Sequence, residues 1–547
     1  MSLPNGLEAH PMTEWTNRHE NFTQPLTASA CFKLRIPNLP TSQEQYRQTT
    51  ANFQWLIRYG IEHNVRLRAL GKGWSFSEVA VTNGGLVDTM ALRQSFALKP
   101  TMVVPAYQTA GRTADNLFFT ECGTSIEGLE KQLESRGKSI RASGASNGQS
   151  IAGALSTGTH GGAFRFGAVA ETVVGLHIVT GPDRHVWLER ASYPVAAPKF
   201  TDWLGVAPEN VLRDDELFNA ALVSFGSFGF IHGVLLETEP LFLLEDFSAY
   251  RVPYREGVKR LMTHLDLTGL APWLTLPLTD PTRQPYHLTV IINPHQFDLS
   301  GANADHGVFV QLLFKAPYKL PYKRRPAPAP GFTYGDSTLG FIETVLDHLG
   351  SLGAALVPPL VNRLYPLAFD NANGTAGTMS ETFDNTNIRG KAASAAIGIA
   401  NHDVPRVLTE IQALNQQTPF PGVLGLRFVK GTRATLGFTR FPVTAVLEFD
   451  GVEAKVTRKF LEQIWARLEA LDIAYTLHWG KINFNLTPAR LRRMYGDAAV
   501  NQWLRSRQRL LDAPTRRVFT NAFMERCGLD QAPVPSPGPV AGSGVSA

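Results

Sequence analysis

Gly144-Ala145-Ser146-Asn147-Gly148-Gln149-Ser150-Ile151-Ala152-Gly153-Ala154-Leu155-Ser156-Thr157-Gly158-Thr159-His160-Gly161-Gly162 is the stretch on which the reading of this chain turns. Upstream lies a shorter stretch of the same character, Gly71-Lys72-Gly73-Trp74-Ser75-Phe76-Ser77. Backbone N–H groups can crowd around an anion only where side chains are absent or small. Two such stretches, with strand and helix patterns between them, predict a clamp for a large phosphate-bearing cofactor. Neither fits a G-x-G-x-x-G turn opening a helix or a G-x-x-x-x-G-K-[ST] loop, so a plain Rossmann or P-loop reading fits poorly.

The remainder of the sequence narrows the class. At 547 residues the chain is long enough for more than one domain. A net charge of +5, with no basic run longer than Lys323-Arg324-Arg325, predicts no nucleic-acid partner. Cys31, Cys122 and Cys527 are odd in number and far apart, which gives neither a disulfide framework nor a zinc spacing, and no metal is expected. The Met-Ser-Leu-Pro-Asn-Gly start has no basic segment followed by an apolar one, and no apolar run has membrane-spanning length. The expectation is a soluble cytoplasmic protein.

Hydrophobic periodicity predicts a helix from Thr41 to Val65 with Thr41 or Ser42 as its N-cap, and a strand from Arg66 to Leu70 running into the first glycine loop. Leu86-Val87-Asp88 reads as a strand and Ser125 to Arg136 as a helix. Thr172 to Thr180 and His185 to Leu188 read as a hairpin. Ala221 to Thr238 reads as a glycine-interrupted strand region. After Glu239-Pro240 a second α+β segment begins, with strands expected at Tyr286 to Ile292, Val308 to Phe314, Val423 to Val429 and Thr444 to Phe449. Helices are expected at Val258 to Leu267, Val404 to Leu414 and Lys455 to Leu471. Lys323 to Gly331 reads as a mobile or surface loop. Leu339 to Phe369 is strongly apolar: either a pair of core helices broken at Pro358-Pro359, or a lid or membrane-touching patch over a substrate pocket.

Several blocks, in order, resemble the vanillyl-alcohol-oxidase family of flavoproteins, the p-cresol-methylhydroxylase FAD fold. The sugar-lactone and alditol oxidases and the flavin-linked second class of cholesterol oxidase look nearest within it. The blocks are Trp15-Thr16-Asn17, Arg66 to Ser77, Glu121 to Ile126, Ser150 to Gly161, Gly226 to Ile231, His478-Trp479-Gly480-Lys481 and Arg517 to Phe523. The resemblance is weakest from Leu241 to Thr418. It implies an α+β fold with an FAD-binding domain at 1–240, an antiparallel-sheet substrate domain covered by helices at 241–480 and a segment at 481–532 returning to the FAD domain; the Pro/Gly/Ser/Ala-rich composition of 533–547 predicts a disordered tail. It implies FAD contacts at Gly71, Lys72, Gly73, Trp74, Ser75, Gly144, Ser146, Ser150, Gly153, Thr157, Thr159, His160 and Ile231.

Departures from the family pattern matter as much. Many relatives place a flavin-linking histidine in the first loop. Here no histidine lies between His63 and His160, and the second stretch holds no cysteine. The expectation is non-covalent FAD. The resemblance makes Arg427, His478 and Lys481 the catalytic candidates, with His478 as base and the two cations beside flavin and alkoxide. Gly425 stands where relatives carry a glutamate, so the base is His478 or a carboxylate elsewhere. His160 is expected to contact the flavin or orient backbone. Cys122, where relatives usually show alanine, is a buried thiol or a neighbour of the flavin.

The implied activity is oxidation of a CH–OH group of a sugar, polyol, lactone or sterol-like alcohol by hydride transfer to FAD, with dioxygen as acceptor. The alternatives are a dehydrogenase using a quinone, cytochrome or dye, and a flavin-binding protein without turnover. The apolar 339–369 stretch points to a bulky apolar substrate and the His-Trp-Gly-Lys block to a sugar. Membrane contact is not favoured.

Overall fold

The computed structural model describes residues 3–327, 337–350, 352–384 and 391–533. The helix Ser42–Glu62 starts at a capping box: the Thr41 hydroxyl accepts from the Glu44 N–H, and the Glu44 carboxylate accepts from the Thr41 N–H at 3.0 Å. Its buried stripe of Phe53, Leu56 and Ile57 recurs at helical spacing. The strand Leu67–Leu70 follows and pairs in parallel with Gly85–Asp88, in a four-stranded sheet completed by Phe32–Leu34 and Leu7–Ala9.

A six-stranded sheet runs in the order Val211–Arg213, His185–Glu189, Val173–Val179, Phe230–Glu237, Leu117–Glu121, Ser95–Ala97. Val173–Val179 and His185–Glu189 form the antiparallel hairpin expected around Gly181-Pro182-Asp183. The helix Ile126–Glu134 is capped by the Ser125 hydroxyl, which accepts from Gly128 N–H. The segment from Ala221 to Thr238 differs from expectation. Its start ends the helix Asp215–Leu222, and only Phe230–Glu237 is strand. Phe225, Gly226 and Gly229, at φ of 56°, 67° and 108°, leave the extended region and make a turn between the two.

The second half of the chain is an eight-stranded antiparallel sheet. Its order is Ala372–Gly377, Phe242–Val252, Val308–Pro317, Gln284–Ile292, Gly422–Lys430, Val443–Val452, Ala392–Ala400, Tyr475–Leu477. Phe242–Val252 and Ala392–Ala400 were not anticipated. The first mixes Glu245 and Asp246 into an apolar run, and the second is mostly small Ala and Gly, so neither shows a two-residue hydrophobic period.

The apolar 339–369 stretch forms the helices Ser337–Leu349 and Val357–Ala368. The first helix packs on the sheet through buried Leu339, Phe341, Ile342 and Val345; Val361 and Leu364 of the second are buried as well. The break comes before Pro358-Pro359, because prolines sit without cost in a helix's first turn. Among the described residues no single helix is long and apolar enough to cross a membrane. The described part of the Lys323 to Gly331 loop is tied to the sheet: Ala376 N–H donates to the Lys323 carbonyl at 2.7 Å, and Arg325 pairs with Asp246. Residues 328–331 of that loop, and 534–547 of the expected disordered tail, lie outside the described residues.

The last segment runs back to the first half. Trp503 Nε1 donates to the Val223 carbonyl at 3.1 Å, Arg507 Nε to that of Ser227 at 3.0 Å, and Asn521 Nδ2 to that of Val81 at 2.7 Å. The helix Pro488–Leu510 that carries Trp503 and Arg507 is broken at Gly496 (φ 79°).

Candidate active site

One cavity, with about 1470 Å³ of atom-free space including its opening to solvent, lies between the two glycine-rich stretches and one face of the eight-stranded sheet. Gly71, Lys72, Gly73, Trp74 and Ser75 line it from one side. Ser146, Ser150, Gly153, Thr157, Thr159 and His160 line it from the other, and Ile231 contributes from the strand Phe230–Glu237. Gly144 does not line it. A Cβ there would meet Thr159 Cγ2 at 2.8 Å, so this glycine lets the stretch fold on itself behind the wall.

The stretch owes its shape to small residues. Ile151–Thr157 is a short helix that ends at Gly158 in the left-handed region (φ 76°). A Cβ on Gly148 would stand 2.4 Å from Trp74 Cζ2, and one on Gly71 2.3 Å from Ser150 Oγ. The two stretches therefore touch through glycine and could not carry larger residues. These close approaches are what a backbone cradle for a diphosphate requires, so the residues present fit FAD. The Trp74 indole is held by Arg18 above it, with Cζ at 5.0 Å from the ring centroid, and by an edge contact with His19.

The catalytic candidates meet at a residue the sequence did not single out. Arg427 lies on Gly422–Lys430, and Lys481 follows the strand Tyr475–Leu477. Between them, on Val443–Val452, stands Glu448, 1% exposed. Arg427 Nη1 pairs with Glu448 Oε2, and Lys481 Nζ donates to Glu448 Oε1 at 2.8 Å. All three line the cavity. Burial pushes the Glu448 carboxyl up, but Arg427 and then Lys481 outweigh it and hold the group well below the usual carboxylate range. Glu448 is thus a fixed anion between two cations. Gly425 is its direct cross-strand partner. The carboxylate missing at Gly425 is present one strand away. The available signal was Glu448 and Asp450 at i and i+2 in an otherwise apolar strand, two acids on one face.

His478 also lines the cavity, yet its geometry does not suit a base. Its Nδ1 accepts from the Gly480 N–H at 3.0 Å, and a backbone hydrogen bond with Gly158 holds the ring as well. Burial, with His160 and Lys481 nearby, keeps it neutral. It fixes the turn that presents Lys481. His160 differs. Its Nδ1 donates to the Gly161 carbonyl at 3.0 Å, which leaves Nε2 as the lone-pair nitrogen, and burial lowers its pKa to about 4. Cys122 lines the cavity as a buried thiol whose pKa burial raises, so it is unreactive.

A smaller polar cavity adjoins Arg427, lined by His287, Thr289, Gln311, Arg325, Ser337 and Thr382 among others. His287 Nδ1 accepts from Gly162 N–H at 3.1 Å, which ties the end of the glycine stretch to this sheet.

Comparison with known proteins agrees with this geometry. The sequence pattern of a family described as "FAD binding domain" matches residues 46–188. The chain is 29% identical over 211 residues to an L-gulono-1,4-lactone dehydrogenase of Mycobacterium tuberculosis, covering 39% of this chain and 40% of that protein. The chain thus spans about two fifths of the length of that relative. Its fold is similar to that of cholesterol oxidase from Brevibacterium sterolicum, with a TM-score of 0.65 at 14% identity over 96% of this chain and 99% of that one. It is also similar to a VAO-type flavoprotein of Myceliophthora thermophila C1, with a TM-score of 0.54 at 12% identity over 88% and 78%. Residues 46–188 thus match the pattern of an FAD-binding domain, set in an α+β fold similar to that of the vanillyl-alcohol-oxidase type.

Proposed function

We propose that the protein is an FAD-dependent oxidoreductase that oxidises a CH–OH group of a polyhydroxylated small molecule, a sugar lactone or polyol, with dioxygen as the acceptor. The observation that carries this reading is the Arg427–Glu448–Lys481 cluster on the wall of the cofactor cavity. Bound FAD would supply the two-electron acceptor. Glu448, held ionised, can only accept hydrogen bonds, and it fixes the Arg427 and Lys481 side chains on the cavity wall. Arg427 and Lys481 stabilise the oxygen as negative charge develops on it. His160, neutral with its Nε2 lone pair, receives the hydroxyl proton.

Two observations favour a polar substrate over a sterol. Of the apolar 339–369 stretch, Leu339, Phe341, Ile342, Val345, Val361 and Leu364 are buried while Leu352, Leu356 and Leu367 face outward, and Leu339 lines the main cavity. The space beside Arg427 is walled by hydroxyl, amide, imidazole and guanidinium groups together with Leu313 and Phe383. The M. tuberculosis relative's name points the same way.

The cofactor is held without a covalent bond in this reading. Trp74 occupies the first-loop position, and all three cysteines are free and buried. The test of the function is an anaerobic screen of sugar lactones, polyols and a sterol for bleaching of the flavin. Bleaching by a lactone or polyol supports it; bleaching by the sterol alone overturns it. The relative's description as a dehydrogenase favours a second reading of the acceptor alone. Rapid reoxidation of the reduced protein in air supports dioxygen, and slow reoxidation the second reading.

A further inference from the structure

Two arginines are buried beside the cofactor cavity without a direct ion pair to a carboxylate among the described residues. Arg68, on the strand that leads into the first glycine loop, is 1% exposed and lines the cavity. Arg507, from the returning C-terminal segment, is 3% exposed. Both guanidinium groups reach one turn of the chain: Arg68 Nη1 donates to the Gly226 carbonyl and Arg507 Nε to the Ser227 carbonyl, the latter at 3.0 Å. Among the described residues neither forms an ion pair with a carboxylate. Burial, with each cation opposing a neighbouring one, pulls both down to about 9.

The two are not equally satisfied. Arg507 also donates to the Arg516 carbonyl at 2.9 Å and to Thr520 Oγ1 at 3.0 Å. Beyond Gly226, Arg68 reaches the thioether of Met524 at 3.2 Å, a weak acceptor, and its Nε has no partner among the described residues. A buried, uncompensated guanidinium is costly to retain for packing alone, since an apolar side chain fills the same volume without the desolvation. The cavity Arg68 lines is the one whose glycine cradle fits a dinucleotide, and Gly226 lines it as well.

We infer that Arg68, backed by Arg507, is the cationic anchor for the diphosphate of the FAD. The anion supplies the charge that the protein omits. Guanidinium binds phosphate oxygens as a planar fork, which the peptide cradle of Gly71 to Ser75 lacks. Arg507 and Met524 belong to the C-terminal segment, so cofactor charge and C-terminal docking are coupled. Arg66 with Glu525 and Arg526 with Glu78 bolt the same segment to the flanks of the first loop. This anchor shares no residue with the Arg427–Glu448–Lys481 cluster, and it rests on the assignment of FAD rather than on the proposed reaction.

The test compares full-length wild-type, Arg68→Lys and Arg68→Met chains stripped of flavin. Thermal unfolding is followed with ADP, with adenosine and with FAD. For the wild type, ADP and FAD raise the melting temperature and adenosine does not. In Arg68→Met the ADP effect disappears and the dissociation constant for FAD rises about ten- to a hundredfold. Arg68→Lys, which keeps the charge and loses the fork, lies between the two. If Arg68→Met does not fold, the lysine variant decides by the same measure. Equal stabilisation of wild type and variants by ADP, or of the wild type by adenosine and ADP alike, overturns the inference. A wild type that binds neither FAD nor ADP overturns instead the assignment of FAD.

Discussion

Gly425 and Glu448 stand directly opposite each other on the paired strands Gly422–Lys430 and Val443–Val452, and a Cβ on Gly425 would lie 3.5 Å from Glu448 Oε2. One strand is bare where the other carries the carboxylate. The carboxylate shared by Arg427 and Lys481 stands on the second strand, with Asp450 two residues on and 3.8 Å from Lys481. Exchange of the two should then be tolerated in part. Glu448→Gly alone removes the carboxylate that buried Arg427 and Lys481 share, at a cost of about 3–5 kcal/mol, with Asp450 still 3.8 Å from Lys481. The double change Gly425→Glu with Glu448→Gly restores the anion, although Thr338 Cγ2, 3.0 Å from the new Cβ, must give way. The double variant should melt higher and reduce its flavin faster than Glu448→Gly.

The grip on FAD depends on the contact between Gly148 and Trp74. Gly148→Ala places a methyl 2.4 Å from a rigid indole carbon, an overpacking of about 1–3 kcal/mol. The variant should purify with less flavin and a lower melting temperature. Acid precipitation of the wild type should leave the yellow colour in the supernatant; a yellow pellet contradicts non-covalent binding.

The proposal that His160 receives the hydroxyl proton makes it the group that sets the acid limb of activity. Burial lowers its pKa to about 4, so its neutral, proton-accepting form persists down to that pH. kcat/KM should be level from neutral pH downward and fall as the pH passes about 4. His160→Asn should lose that limb and about 10²-fold or more in rate. An unchanged profile assigns the proton to another group.

Acid should also destabilise the fold through buried histidines. Tyr46 Oη bonds His177 Nδ1 at 2.6 Å, and His177 Nε2 bonds His185 Nδ1 at 2.8 Å. Burial lowers His177 well below 6.5, His185 to about 4 and His19 to about 3. In the unfolded chain these rings titrate near about 6.5. Their lowered pKa values leave stability complete above that value and remove it as the pH falls from there through the folded values. The melting temperature should drop steadily between about pH 6.5 and pH 4, and His185→Gln should reduce the slope.

Much of the cofactor half was legible in the sequence. A helix with a capping box, two glycine stretches and a hairpin are local features, and each is visible within a short window at Thr41, Gly71, Gly144 and Gly181. The substrate half was less so. The strand Ala392–Ala400 is held by its neighbours on both sides rather than by its own pattern. Glu448 and Arg68 were missed for one reason: each matters through partners distant in the chain, Arg427 and Lys481 for one, Gly226 and Met524 for the other. His478, three residues before Lys481, reads as a base in the sequence, and only the fold shows its Nδ1 accepting from the Gly480 amide.

The rate of anaerobic flavin reduction in Glu448→Gln, with the lactone or polyol that bleaches the wild type, tests the account most directly. Glutamine keeps the volume and removes the anion that Arg427 and Lys481 share. The expected result is a full complement of FAD with reduction slowed about 10²- to 10³-fold. Reduction at the wild-type rate by a fully flavin-loaded variant would contradict the central claim that this cluster is where the substrate is oxidised.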